Sequence, residues 1–240
     1  MRILAFESSA KAASVAVLQD GLLLGESYLN CGLTHSVTLL KQAQGLLHGC
    51  GLSVSDIDAV ACAAGPGSFT GVRIGVSAAK GFAWARELPC LGVSTLEAMA
   101  WQGACFDGAI LCAMDARRAQ VYCAAFEYAG GTLRRLSEDA ALSLEDWESV
   151  TKKIEKPKIM VGDGAYLCYN TFGKSQPGCI LAPEHQRMQR ASGVALAAWP
   201  RLLAGEPADG ATLVPNYLRL SQAERERAER LQNAKECPNG

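Results

Sequence analysis

The hydrophobic pattern of the first thirty residues predicts an antiparallel sheet. Residues 3–7 and 14–18 are apolar runs of strand length, separated by a Ser/Ala loop. Asp20-Gly21 is a hairpin turn signal, and a third run of strand-forming residues follows at 22–28. The chain therefore opens with a three-stranded meander, whose first strand ends on the acidic residue Glu7.

Helices and short strands then alternate up to about residue 102. Apolar residues recur at helical spacing between Thr34, which is an N-cap candidate, and Gly49. A second helix is predicted over 71–86, and Ser94 with Glu97 has the spacing of a capping box that opens a third. Short apolar strands are predicted between these helices, at 59–64 and 91–93.

The same order of elements begins again near residue 109. A strand over 109–114 is followed by Asp115, and a return strand is predicted over 120–128. Because both halves deliver one acidic residue into a loop before an antiparallel strand, they indicate an internal duplication. The remaining predictions are a helix from Ser143 to about Lys153, a strand at 158–161, a helix at 165–172, a strand at 179–181, a helix from Ser192, and a charged helix at 221–235 that is either solvated or packed through a narrow stripe.

This order predicts an α/β fold of two related domains with mixed sheets flanked by helices. We assign residues 1–103 to the first domain, residues 104–212 to the second, and residues 213–240 to a tail whose helix packs back on them. A cleft between two such domains is the default place for a binding site.

Composition excludes several classes of protein. Hydrophobic residues make up 49% of the 240 residues and charged residues 20%, which is enough apolar material for a packed core. The net charge of −1 argues against a free-standing tRNA-binding module, because attraction to phosphates requires an excess of positive charge. No apolar stretch is long enough to span a membrane and no secretory signal opens the chain, so a cytoplasmic protein is expected.

Cysteine usage fits the same compartment. Ten cysteines are present, without any C-x-x-C pair. Most lie in apolar runs, where a free thiol packs as a small hydrophobic group under reducing conditions. We therefore expect neither a zinc site nor a redox motif.

The most informative segment is GPGSFTGVRIG at residues 65–75. It joins a predicted strand to a predicted helix, but it fits neither the P-loop nor the dinucleotide fingerprint, because Thr70 lies where both patterns need glycine. Gly71, Gly75 and Ala79 follow at four-residue spacing, so one face of the helix is small. That face either packs inside the domain or forms a subunit interface, and the sequence does not separate the two.

Candidate catalytic groups are few. The three histidines show neither H-x-x-x-H nor H-E-x-x-H spacing, so no helical zinc site is predicted. Ser68 and Thr70 lack the G-x-S-x-G context of a nucleophile and are expected to be loop and N-cap hydroxyls. Asp115, Arg117 and Arg118 form a charged loop that either holds an anion or makes surface ion pairs. We predict no catalytic residue, no metal ligand and no cofactor.

Five blocks of the sequence together resemble the TsaB (YeaZ) family. They are ILAFESS at 3–9, GPGSFTGVRIG at 65–75, LGVSTL at 91–96, MDAR with VY within 114–122, and PNYLR at 215–219, in the order of the family. The resemblance implies two domains of the actin/sugar-kinase/Hsp70 (RNase H-like) type. It also implies an accessory role in making threonylcarbamoyladenosine beside the tRNA anticodon, in complex with the catalytic paralogue TsaD.

The resemblance further implies partners and a contact surface. Helices near 34–48 and 71–86 would form the contact of both a homodimer and the complex with TsaD. The small ATPase TsaE is the further partner, and tRNA is reached only through the complex. The implied interface residues are Leu39, Leu40, Gly71, Gly75, Ala78, Ala79 and Phe82. A Gly75→Leu variant is then expected to lose partner binding and to keep its fold.

Departures from the catalytic paralogue imply that this chain is not an enzyme. By the resemblance, Thr95 and Met99 occupy the positions of the two metal-binding histidines of TsaD, and neither side chain replaces an imidazole ligand. Lys11 likewise replaces an acid of its first phosphate loop, and its glycine-rich second loop has no counterpart at 115–119.

Two enzymatic alternatives are weighed against this role. The first is an active ATPase or small-molecule kinase of the same superfamily, with Glu7 and Asp115 around a metal-nucleotide. The second is a metallopeptidase, whose histidine pair this sequence lacks.

Overall fold

The computed structural model describes residues 1–219, which form two β-sheets flanked by helices. The strands are β1 (Arg2–Glu7), β2 (Ala13–Gln19), β3 (Leu22–Leu29), β4 (Ala59–Ala63), β5 (Cys90–Val93), β6 (Gly108–Asp115), β7 (Gln120–Ala129), β8 (Thr132–Arg135), β9 (Ala140–Ser143), β10 (Lys158–Val161) and β11 (Cys179–Leu181). The helices are α1 (His35–Gly49), α2 (Phe69–Trp84), α3 (Thr95–Ala100), α4 (Leu144–Lys152), α5 (Ala165–Thr171), α6 (Glu184–Arg187) and α7 (Ala191–Leu203).

The first sheet has five strands in the order β3-β2-β1-β4-β5. β1 pairs antiparallel with β2 and parallel with β4. β1 and β2 are apolar on both faces because helices cover both sides of the sheet. α1 and α2 pack on the face that carries Leu4 and Phe6, whereas α7 packs on the face that carries Ile3 and Ala5.

The second sheet repeats this arrangement in the order β11-β10-β6-β7-β8, with β9 paired to β7. β6 pairs antiparallel with β7 and parallel with β10, as β1 does with β2 and β4. Glu7 and Asp115 are therefore the last residues of equivalent central strands. The topology confirms the predicted duplication.

Helix α7 corrects the predicted extent of the second domain. Its residues fall within the 104–212 range, yet Ala191, Val194 and Ala198 pack on the first sheet. The sequence pattern identified a buried helix but carried no information about which sheet it covers. The first domain therefore includes α7, which follows the strands of the second domain in sequence.

Several local predictions differ from the structure. β8, β9 and α6 were not predicted, because these four-residue elements are too short to show a hydrophobic period. Ser143 does cap α4, with its Oγ accepting from Asp146 N at 3.0 Å. The capping box of α3 is only half formed: Ser94 Oγ accepts from Glu97 N, whereas the Glu97 carboxylate lies 3.6 Å from Arg135 of the second sheet.

The described chain ends in an extended segment, residues 213–219, that lies against the first domain. The predicted helix at 221–235 lies outside the described residues. Within residues 1–219, no helix is long and apolar enough to cross a membrane. Six of the nine cysteines in this range are buried, consistent with packed thiols.

Candidate functional site

A cleft of about 630 Å³ lies where the equivalent strands β1 and β6 end. The end of a central strand at such a position is where α/β folds commonly place ligands. The walls come from the loops after β1, β6 and β10, from the loop between β4 and α2, and from β7, with the 213–219 segment along one side. Its lining includes Ser9, Lys11, Gly67, Ser68, Phe69, Asp115, Arg117, Tyr122, Asp163, Tyr217 and Arg219.

Glu7 lies beneath the cleft rather than in it. Its side chain is 1% exposed, and Oε1 accepts a hydrogen bond from Ser9 N at 2.6 Å. Oε2 is buried and has no partner among the described residues. Burial raises the pKa of Glu7 to about 7, and the charge of Asp163 adds to the shift while the hydrogen bonds from Ser9 oppose it. Burial therefore favours the protonated form of this carboxyl.

Asp163 and Lys11 are a pair of cleft residues that sequence analysis did not single out together. Burial raises the pKa of Asp163, and Asp115 adds to this shift. A hydrogen bond from Gln189 Nε2 at 2.8 Å and the charge of Lys11 act in the opposite direction. The cleft thus contains two carboxylates of the second domain, Asp115 and Asp163, with the ammonium group of Lys11 from the first domain near them. Asp163 follows the buried strand β10 in a Gly-Asp-Gly turn. That placement is the signal by which the sequence could have identified it as a cleft residue.

The glycine-rich loop between β4 and α2 contacts residues 213–219. Gly65 has a φ of +115°, and a Cβ at this position would collide with the carbonyl oxygen of Asn216. Asn216 N donates to Ala64 O at 2.6 Å, which fixes the segment on the loop. Glycine at 65 is therefore needed because residues 213–219 cross directly over it.

Aromatic and charged side chains extend this contact along α2. The rings of Phe69 and Tyr217 stack at 4.1 Å with an interplanar angle of 18°. Arg73 Nε donates to Tyr217 Oη at 2.8 Å, and its guanidinium lies 4.1 Å from the centre of the Phe69 ring. The GPGSFTGVRIG and PNYLR blocks, remote in sequence, thus form one packed unit.

The same segment touches the second domain. Arg219 donates to Ala116 O at 2.8 Å, in the loop after β6. The next residues of this loop, Arg117, Arg118 and Ala119, all have left-handed φ angles, of 63°, 54° and 56°. Such angles are unfavourable for residues other than glycine and are commonly maintained at functional sites. Residues 213–219 therefore bridge one rim of the cleft.

Thr95 and Met99 lie in packed surroundings. Thr95 is fully buried, and Met99 is 1% exposed within the core that contains Leu96, Cys112 and Phe126. Among residues 1–219, no three His, Cys, Asp or Glu side chains are arranged to hold a metal ion. Met99 thus packs in an apolar core, and Thr95 is buried with its hydroxyl unpartnered among the described residues.

The structure corrects part of the predicted interface. Leu39, Gly71, Gly75 and Ala79 are buried inside the first domain. A Cβ on Gly71 would collide with Ser8 O, and one on Gly75 would lie 2.5 Å from Ser8 Oγ. The small face of α2 therefore packs on the loop after β1, and Gly75→Leu is expected to damage the fold itself. Ala78 and Phe82 are half-buried beside this face, and Leu40 is exposed.

Leu40 belongs to an exposed apolar group at the beginning of α1. Leu33, just before the helix, is 59% exposed, and Val37 and Leu40, three residues apart on it, are 53% and 57% exposed. We call these three residues the α1 stripe. Clustered exposed hydrophobic residues mark interaction sites more often than isolated ones do.

Comparison with known proteins identifies relatives over nearly the whole chain. The family model for TsaD, tRNA N6-adenosine threonylcarbamoyltransferase, matches residues 31–227. The tRNA threonylcarbamoyladenosine biosynthesis protein TsaB of Bacillus subtilis is 34% identical over 93% of this chain and 96% of its own length. The protein of the same name from Escherichia coli is 37% identical over 75% of this chain and 78% of its own length.

Solved structures agree with these relatives. YeaZ from Pseudomonas aeruginosa aligns with a TM-score of 0.76 at 28% identity, covering 90% of this chain and 99% of that one. The activator of 2-hydroxyisocaproyl-CoA dehydratase from Clostridium difficile, solved with bound ADPNP, aligns with a TM-score of 0.51 at 12% identity over 86% of this chain and 97% of that one. The second likeness concerns the fold alone, and it agrees with the predicted α/β fold of two related domains. On sequence blocks, topology and relatives together, the chain belongs to the TsaB (YeaZ) family.

Proposed function

We propose that this chain is a non-catalytic accessory subunit in the synthesis of threonylcarbamoyladenosine on tRNA, and that it acts by binding and supporting the catalytic paralogue TsaD. Membership of the TsaB family supports the pathway. The observation that carries the non-catalytic role is the packing of α3, where Thr95 is fully buried and Met99 lies in an apolar core. The positions at which the resemblance places the metal ligands of TsaD are filled here, with no open face toward a substrate.

The proposed contact with TsaD is the α1 stripe together with the half-buried Phe82 and Ala78 of α2. Three apolar side chains that are each more than half exposed gain most when a partner removes them from water. The TsaD family model matches this chain through both helices, so the paralogue is expected to present equivalent helices. Two related helix pairs can pack against each other through similar apolar faces. TsaE and tRNA would then join the assembly through this complex.

The test is reconstitution with TsaD from the same organism. Size exclusion with light scattering should detect a complex of the wild-type chain, and Leu40→Glu should weaken it at least tenfold, because a carboxylate would be buried at the contact. Leu203→Glu is the matched control, since Leu203 is 61% exposed on α7, outside the proposed surface. Equal binding by both variants, or no complex for the wild type, would refute the proposed contact.

The alternative activity, nucleotide turnover in the cleft, rests on one specific observation. Glu7 and Asp115 end equivalent strands at a cleft of about 630 Å³, and the pKa of Glu7 is raised to about 7, as in groups that move protons near neutral pH. Turnover of ATP by the isolated chain, lost in both Glu7→Gln and Asp115→Asn, would establish this activity. Absence of turnover under conditions in which the TsaD complex forms would support the accessory role.

A further inference from the structure

The basic side chains around the cleft differ from those elsewhere in the protein. Most arginines away from the cleft form ion pairs with carboxylates; these are Arg2, Arg134, Arg135, Arg190 and Arg201. Four basic residues in or beside the cleft have no carboxylate partner among residues 1–219. They are Lys11, Arg73, Arg117 and Arg219, and we call them the basic rim.

The basic rim draws on four separate parts of the chain. Lys11 lies in the loop after β1 and Arg117 in the loop after β6, so the two domains each contribute one side of the cleft. Arg73 lies on α2, and Arg219 ends the 213–219 segment. Lys11, Arg73 and Arg117 are exposed, and Arg219 is half-buried. Because α2 also begins at this cleft, its amino end adds a partial positive charge to the same surface.

The two outer arginines are held in place by the protein itself. Arg73 Nε donates to Tyr217 Oη at 2.8 Å, and Arg219 Nη1 donates to Ala116 O at 2.8 Å. These hydrogen bonds use one N–H group of each guanidinium, so further N–H groups remain for a phosphate oxygen. A side chain fixed in this way loses little conformational entropy when it binds a ligand.

The carboxylates of the cleft do not cancel this charge. Asp115 Oδ1 accepts from Arg117 N at 2.7 Å, and Asp163 Oδ1 accepts from Gln189 Nε2 at 2.8 Å. The basic rim therefore sets four cations against two carboxylates, whereas the chain as a whole has a net charge of −1. A local excess of this kind attracts a polyanion even when the net charge of the protein does not.

We infer that the basic rim binds the phosphate backbone of tRNA while this chain is in complex with TsaD. The inference rests on the proposed function, which brings the chain to tRNA. Cations on four parts of the chain suit a ligand with several phosphates better than a single small anion. Tyr217, which is 37% exposed, lies among them and offers a ring on which an unpaired base can stack. Phosphate contacts carry no sequence information, so the rim would position the tRNA rather than select the base.

The first experiment measures the affinity of the complex with TsaD for tRNA over a range of salt concentrations. Lys11→Gln combined with Arg117→Gln should lower the affinity at least tenfold at about 0.1 M salt. The slope of log affinity against log salt should fall by about 1 to 2, because two phosphate contacts are lost. The matched control is Lys153→Gln combined with Lys174→Gln. It removes the same charge from two exposed lysines of the second domain that do not line the cleft, and it should leave both quantities unchanged.

Equal losses in the two double variants, or no loss in either, would overturn the inference. Size exclusion of each complex reports separately on TsaD, so a variant that loses TsaD and not tRNA would assign the rim to a protein contact and overturn it too. If the wild-type chain forms no complex with TsaD, the proposed function fails. The same variants, titrated with tRNA as isolated chains at low salt, then decide whether the rim binds RNA.

Photo-cross-linking locates the contact without relying on affinity. Thiouridine-labelled tRNA, irradiated in the complex with TsaD, should cross-link to peptides of this chain that contain Phe69 or Tyr217. The peptide of α5 is the internal control and should remain free of RNA. Cross-links confined to TsaD, or spread equally over the rim and α5 peptides, would refute a tRNA contact at the basic rim.

Discussion

Replacing glycine by alanine at two positions of α2 should have opposite effects on stability. Gly71 and Gly81 lie in the same helix, and alanine is favoured over glycine in a helix by about 1 kcal/mol. A Cβ on Gly81 would meet no atom within 4 Å, so Gly81→Ala should raise the free energy of unfolding by about 0.5 to 1 kcal/mol.

At Gly71 the same methyl group would collide with the backbone carbonyl of Ser8. Overpacking costs about 1 to 3 kcal/mol, and the upper end applies because a backbone atom in a buried loop has little freedom to move. After the helical gain of about 1 kcal/mol, the net loss is about 2 kcal/mol, or roughly 4 to 8 °C in Tm for a chain of this size.

Urea denaturation and calorimetry of the two variants beside the wild type measure both effects. Equal m values are expected, since neither change alters the surface exposed on unfolding. A Gly71→Ala protein as stable as Gly81→Ala would refute the reasoning, because the loop after β1 would then yield without cost. That result would also reopen the small face of α2 as a possible partner surface.

Three further predictions address the cleft, the C-terminal segment and the partner surface. Glu7→Gln should remove a pH dependence: burial raises the folded pKa to about 7 from 4.5, so the contribution of this group to stability is complete below about pH 4.5 and is lost as pH rises toward 7. Over that range the free energy of unfolding of the wild type should fall by up to about 3 kcal/mol relative to that of Glu7→Gln. A constant difference between the two free energies would contradict the raised pKa of Glu7. Tyr217→Ala should destabilise by about 1 to 2 kcal/mol and Tyr217→Phe by less than about 1 kcal/mol, since phenylalanine keeps the stack on Phe69 and loses only the hydrogen bond from Arg73. If urea denaturation shows equal losses of unfolding free energy in Tyr217→Ala and Tyr217→Phe, the stack contributes nothing to stability. Leu40→Glu should keep the Tm of the wild type while losing TsaD, and a large fall in its Tm would assign Leu40 to the core.

The strands and long helices were predictable because their hydrophobic periods are clear. β1, β2, β4 and β6 are apolar on both faces, and α1 and α2 show helical spacing that survives in the structure. Their order also revealed the duplication. The family blocks then identified the relatives correctly.

What the sequence could not supply was the partner of each buried face. The spacing of Gly71, Gly75 and Ala79 indicates close packing on one side of α2, but the same spacing suits a subunit contact and the loop at Ser8 equally. The docking of Tyr217 on Phe69 likewise joins positions that lie far apart in the chain, and no local pattern encodes it. A sequence pattern indicates which residues are buried, but it does not indicate which surface packs on them.

The return of α7 to the first sheet has a consequence for how the protein is made. At about 5 to 20 residues per second, roughly ten to forty seconds separate the synthesis of β1 from that of α7. During that interval the face of β1 and β2 that carries Ile3, Ala5, Ala16 and Leu18 has no cover from its own helix. The amino-terminal domain therefore cannot complete its core on the ribosome until most of the chain has emerged, and nascent chains that stop before residue 191 should depend on chaperones to remain soluble.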